Sequence, residues 1–200
     1  MFPFLTIFLV FIIILNYSIR KQKNAQADAE HNFWAREFSA NNTRRQDISK
    51  LDYITIPAEK IPQNLHTDSE KTLVRLSSCK MLNLSGQTNT DLKIEYGVAN
   101  LEALSEYDSN FTEFTAALAV YAQELIDSGQ KDAARELLEF AVHHRADSRT
   151  IFVTLAKLYQ ESGEKEKIHE LLEIGESFGT LSGRMIVQSL SELEETQSLP

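Results

Sequence analysis

Residues 128–139 read SGQKDAARELLE, and residues 162–173 read SGEKEKIHELLE. The two stretches lie 34 residues apart: Ser128-Gly129 recurs as Ser162-Gly163, and Glu136-Leu137-Leu138-Glu139 as Glu170-Leu171-Leu172-Glu173. Ala122 recurs as Ala156, and around these fixed points Leu118 corresponds to Phe152, Leu125 to Tyr159, Ala134 to Ile168 and Ala141 to Gly175. Such a period predicts a helix of about fourteen residues, a turn at the glycine, and a second, antiparallel helix. Small residues at 122, 156, 141 and 175 let the helices approach closely, while Leu138 and Leu172 fill the layer between them. The expected copies are residues 115–148 and 149–182.

These positions resemble the tetratricopeptide repeat. An apolar residue and a small one (Leu155-Ala156) precede an aromatic (Tyr159), and a glycine marks the turn (Gly163). The second helix of the first copy then carries small, large and small residues at Ala134, Leu138 and Ala141. Ile168 and Leu125 depart from that pattern, and neither copy has its closing proline. The chain also resembles short single-span repeat proteins of bacteria. The resemblance implies an all-α fold of helical hairpins whose first helices line a groove for a protein partner. Mapped here, that groove takes Ala116, Ala119, Gln123, Ile126 and Asp127 from one copy. From the other it takes Thr150, Val153, Lys157, Gln160 and Glu161. The central positions Ala119, Gln123, Ile126, Val153, Lys157 and Gln160 are the candidate partner-binding residues. Members that clamp a terminal carboxylate use several cations at such places. Here Lys157 stands alone, which speaks against that ligand.

Outward from the repeats, a capping helix is expected over 180–196 with Met185, Ile186, Leu190 and Leu193 turned inward. Upstream, Thr67-Asp68-Ser69-Glu70 has capping-box spacing and opens a helix expected to reach about Leu82. A turn over 83–89 leads to a further helix from Thr90 or Asp91 to about Ser105, so that 68–105 forms a divergent hairpin and the repeat domain spans 67–196. Residues 44–66 contain Pro57 and Pro62 and read as an extended linker. Tyr53, Ile54, Ile56 and Ile61 are too apolar for a solvated tether, so this segment is expected to dock, with the chain's own groove one candidate berth.

Residues 2–19, FPFLTIFLVFIIILNYSI, carry no charge. That length sits at the lower end for a helix crossing a bilayer. No basic residue precedes the run, and Arg20, Lys21 and Lys23 follow it, which favours an uncleaved anchor over a signal peptide despite Ala25-Gln26-Ala27. The same cluster places the C-terminal body in the cytoplasm, with an extracytoplasmic body as the alternative. The polar, alanine-rich stretch that follows is expected to continue as a juxtamembrane helix over 20–43, ending at Asn41-Asn42-Thr43.

Composition agrees with a folded chain of one domain and an appendage: 200 residues, 42% hydrophobic and 24% charged. Residues 1–100 hold 12 Lys+Arg and 10 Asp+Glu, leaving 8 and 19 for the rest, so the net charge of -9 resides in the C-terminal half. An acidic body makes nucleic acid a poor partner. One cysteine excludes a disulfide scaffold and multi-cysteine metal sites.

Catalytic patterns are sparse. Ser77 and Lys80 have Ser-x-x-Lys spacing without companion motifs, and Cys79 reads as a small apolar residue. His143 and His144 diverge by about 100° on a helix. Glu139, His143 and Asp147 span too much axial rise for one ion and read, like His169 with Glu173, as solvated faces. Glu164, Glu166, Glu194 and Glu195 read as surface charge. The expectation is a non-catalytic, membrane-anchored adaptor with no metal, cofactor or small-molecule substrate. Its partners would be a protein and the bilayer, the latter through residues 2–19. The alternative is an accessory subunit of a membrane complex acting through that span.

Overall fold

The computed structural model describes residues 3–198, with side chains except at positions 3, 5, 6 and 195–198. Among these residues the fold is all-α, with helices α1 (Pro3–Asn41), α2 (Asp68–Leu76), α3 (Asn89–Tyr96), α4 (Leu101–Asp127), α5 (Lys131–His143), α6 (Arg149–Ser162), α7 (Lys165–Ser177) and α8 (Leu181–Ser198). Short 3₁₀ turns lie at Ala58–Lys60 and Val98–Asn100. The backbone groups into two units, Met1–Ser49 with Gln87–Glu102, and Lys50–Gly86 with Ala103–Pro200.

The 34-residue period holds at the level of single hydrogen bonds. Helices α5 and α7 have 13 residues each and begin and end 34 positions apart. Each is preceded by a left-handed glycine, Gly129 (φ 82°) or Gly163 (φ 78°). The amide of Gln130 donates to the Leu125 carbonyl and that of Glu164 to the Tyr159 carbonyl, both at 2.8 Å. The Ser128 and Ser162 hydroxyls donate to the same two carbonyls, at 2.8 and 3.2 Å. This is the six-to-one closure that a positive-φ residue makes available at a helix end. A Cβ at either glycine would meet nothing within 4 Å, so backbone conformation and not crowding selects glycine there.

Helix α6 packs on α5 and α7, and α8 packs on α6 and α7. One buried cluster runs through them and includes Leu118, Tyr121, Leu138, Phe152, Leu155, Ile186 and Leu190. In α8, Ile186 and Leu190 are fully buried and Leu193 packs against the cluster, whereas Met185 is 45% exposed and leaves the expected inner stripe.

Upstream, two boundaries differ from expectation. Helix α2 stops at Leu76 instead of about Leu82. The Ser77 and Ser78 hydroxyls turn back to the carbonyls of Val74 and Arg75, and Ile54 donates its amide to the Met81 carbonyl at 2.9 Å, so residues beyond 76 are drawn into an extended bridge. The start of α2 follows the capping logic with a longer reach. Thr67 Oγ1 accepts the Glu70 amide, while the Glu70 carboxylate accepts the amides of Leu65 and His66 at 2.8 and 3.0 Å. No continuous helix joins 90 to 105: α3 ends at Gly97, and α4 begins at Leu101 and runs through to Asp127. In place of a hairpin over 68–105 there are two short helices and the first turn of a 27-residue one.

In the first unit, α3 is capped by Thr88 with Asp91 reciprocating, and it packs on the end of α1. Arg36 pairs with Asp91, Thr90 donates to Glu37, and Lys93 Nζ lies 3.0 Å from Glu37 Oε2. Asn100, buried, donates to the carbonyls of Gln46 (2.8 Å) and Tyr96 (2.7 Å) and accepts Arg45 Nε at 3.1 Å. Gly97 is required twice over: its φ is 85°, and a Cβ would sit 2.6 Å from the Arg44 carbonyl oxygen.

Helix α1 is unbroken, so the anchor expected over 2–19 and the helix expected over 20–43 are one element ending at Asn41. Phe2, and the side chains at 3, 5 and 6, fall outside the described residues. Among the described residues no helix is long and apolar enough to cross a membrane.

Candidate functional site

The candidate groove residues lie on one face of each repeat's first helix, because spacings of three and four return to the same side. On α4, Gln123 is exposed and its amide donates to Asp127 Oδ1 at 2.8 Å, while Ala119 and Ile126 are half-buried against the core. On α6, Lys157 is exposed between half-buried Val153 and Gln160. The polar centre is flanked by partly covered apolar side chains on α4, and on α6 by one apolar and one polar side chain. Val120, 55% exposed, adds apolar surface beside the α4 row.

The segment containing Tyr53, Ile54, Ile56 and Ile61 is no tether. Ile54, Ile56 and Ile61 are 5%, 1% and 3% exposed and belong to the same buried cluster as α4, α5 and α6. Tyr121 donates its hydroxyl to the Pro62 carbonyl, Lys60 Nζ lies 2.7 Å from Glu136 Oε1, and Asn64 bonds Gln130 at 3.1 Å. Burial pushes the Tyr121 phenol up to about 12, helped by the charges of Glu70 and Glu124. Tyr53 stays half-buried, edge-on to Tyr107 at 5.5 Å, with Lys80 Nζ 4.5 Å from its ring centroid. The segment is held by Tyr121 and Glu136, and the exposed Gln123 and Lys157 remain at the surface.

A polar cluster that includes Glu139 and Glu164, both expected at solvated surface, ties α5, α6 and α7 together. Arg135 reaches both Glu164 oxygens (2.5 and 2.9 Å) and Glu139 (3.0 Å), while the Tyr159 hydroxyl donates to Glu139 at 2.9 Å. Lys167 Nζ stands 3.5 Å from Glu139 and 3.4 Å from Glu164. Both cations lie over the Tyr159 ring, at 5.0 and 5.1 Å from its centroid. The hydrogen bond from Arg135, then that from Ser162, holds the Glu164 carboxyl at about 2. Burial, followed by the bond to Glu139, raises the Tyr159 phenol.

The Ser77 hydroxyl donates to the Val74 carbonyl at 2.7 Å, and Lys80 leans on Tyr53. His143 and His144 stand edge-on at 5.1 Å, and burial, then His143, lowers the His144 pKa against the opposing pull of Asp52. Among the described residues no three His, Cys, Asp or Glu side chains could hold a metal ion. A cleft of about 230 Å³ between α5 and α6 contains Lys131 and Arg135, already paired with Glu161 at 2.5 Å and with Glu164.

The first turns of α1 present a different kind of surface. Phe8, Leu9, Val10 and Phe11 are 59%, 53%, 54% and 57% exposed, and four consecutive positions at about 100° each sweep the whole circumference. Ile13, Ile14, Leu15, Tyr17 and Ile19 continue it. The one amide in this run, Asn16, donates Nδ2 to the Ile12 carbonyl at 3.0 Å and so needs no outside partner for that bond. Compared with known proteins, the chain matches no family model, no curated protein and no solved structure.

Proposed function

We propose that this protein is a membrane-anchored, non-catalytic adaptor of the tetratricopeptide type, its body in the cytoplasm, presenting helical hairpins to a protein partner. The observation that carries the reading is the beginning of α1, exposed and apolar on every side. A helix apolar all round is at home in lipid or deep inside protein, not in water. The 34-residue hairpins, with Gln123 and Lys157 exposed on α4 and α6, support the adaptor half of the reading. Anchoring confines such a surface near the membrane and raises its effective concentration toward membrane-bound partners. Alkaline extraction of native membranes tests the anchor: the protein should stay with the lipid pellet, and release into the supernatant refutes it.

The same apolar end favours one second reading, an accessory subunit whose span makes the principal contact. Replacing residues 2–19 by an unrelated apolar span separates the two. An adaptor keeps its partner, and an accessory subunit loses it.

A further inference from the structure

We infer that residues 7–23 of α1 form a binding site for an anionic phospholipid surface, with Arg20, Lys21 and Lys23 on the headgroup phosphates. The inference rests on the membrane reading above and adds the lipid class and the residues that select it. Arg20, Lys21 and Lys23 are exposed and follow directly on the apolar run. At about 1.5 Å and 100° per residue they lie within about 4.5 Å of axial rise and cover an arc of about 160°. They therefore form a half-collar at a single depth, where the apolar surface ends.

No acidic residue precedes Asp28 in the sequence, so nothing within the first 27 residues offsets these charges. A protein groove covers one side of a helix, whereas the exposed apolar side chains at 8–11 point in every direction. An acyl-chain medium covers all sides at once. The long stems of Arg and Lys let the apolar end sink while the charges stay at phosphate level. Charge complementarity then selects an anionic leaflet over a zwitterionic one, at about fivefold per basic residue and about 100-fold for three.

The test is flotation of the full chain, delivered from detergent onto preformed vesicles of phosphatidylcholine alone or mixed with phosphatidylglycerol, at low and high salt. The expected result is binding to both, with a preference for the anionic vesicles approaching 100-fold that shrinks at high salt. In the R20Q/K21Q/K23Q variant that preference should vanish while binding to phosphatidylcholine persists. Equal binding to both vesicle types overturns this inference and leaves the membrane reading standing. Absence of flotation with either overturns both. A preference that survives in the triple variant overturns the assignment to these three residues.

Discussion

Replacing Ile56 by alanine tests whether residues 54–61 are part of the fold or a tether crossing it. Ile56 is 1% exposed and lies in the cluster shared with Leu118, Tyr121 and Leu138. Truncating a buried isoleucine to alanine removes three carbons of packing and leaves a cavity, which costs about 2–5 kcal/mol. With a urea dependence of about 2 kcal/mol per molar, a loss of about 3 kcal/mol lowers the unfolding midpoint by about 1.5 M. The neighbouring Thr55 is exposed, so Thr55→Ala serves as the control and should shift stability by no more than about 0.5 kcal/mol. The assay is urea unfolding of the full chain followed by far-ultraviolet circular dichroism, with the slope compared across variants. Coincident midpoints for wild type, Ile56→Ala and Thr55→Ala would refute the docked segment.

Gly129→Ala should cost about 1–2 kcal/mol, the strain of a left-handed residue, because nothing obstructs its Cβ. Gly97→Ala should be more severe, since the same strain is joined by a 2.6 Å approach to the Arg44 carbonyl oxygen; thermal midpoints of the two variants give the order. The Glu164 carboxyl is held at about 2 in the folded chain, below its ordinary value of about 4.3, so its stabilising contribution is fully present above pH 5. That contribution is lost as pH falls from about 5 toward 2, and Glu164→Gln should show a shallower decline of stability across that window. Lys157→Glu, at an exposed position, should leave the unfolding midpoint within about 0.5 kcal/mol of wild type while weakening capture of a partner.

The features that sequence makes legible here are those determined by neighbours along the chain. Gly129 and Gly163 announce their turns because a left-handed residue at a helix end is a local demand. Ile54, Ile56 and Ile61 announce docking because their apolarity is costly in water, although the sequence does not name Tyr121 and Glu136 as what holds the segment. The misplaced boundaries depend on distant partners. Helix α2 ends early where Met81 meets Ile54, and α3 breaks at Gly97 where the backbone of Arg44 passes. The cluster of Arg135, Glu139, Tyr159, Glu164 and Lys167 was hidden for the same reason: its Arg135–Glu164 pair spans 29 positions and closes only when α5 and α7 both pack on α6. One signal was available, since Glu139 falls one turn after Arg135 on α5. Exposure of Gln123 and Lys157, by contrast, followed directly from their helix face.

The central claim, that the hairpin faces of α4 and α6 hold a protein partner at the membrane, is tested most directly by site-specific photocrosslinking in native membranes. Photoreactive groups at Gln123 and Lys157 probe the two exposed faces, and one at Tyr53 probes the docked segment. The account predicts crosslinks from Gln123 and Lys157 to a second protein, and crosslinks from Tyr53 to residues of its own chain. Crosslinks from Gln123 and Lys157 confined to the chain itself, with none to another protein, would contradict it.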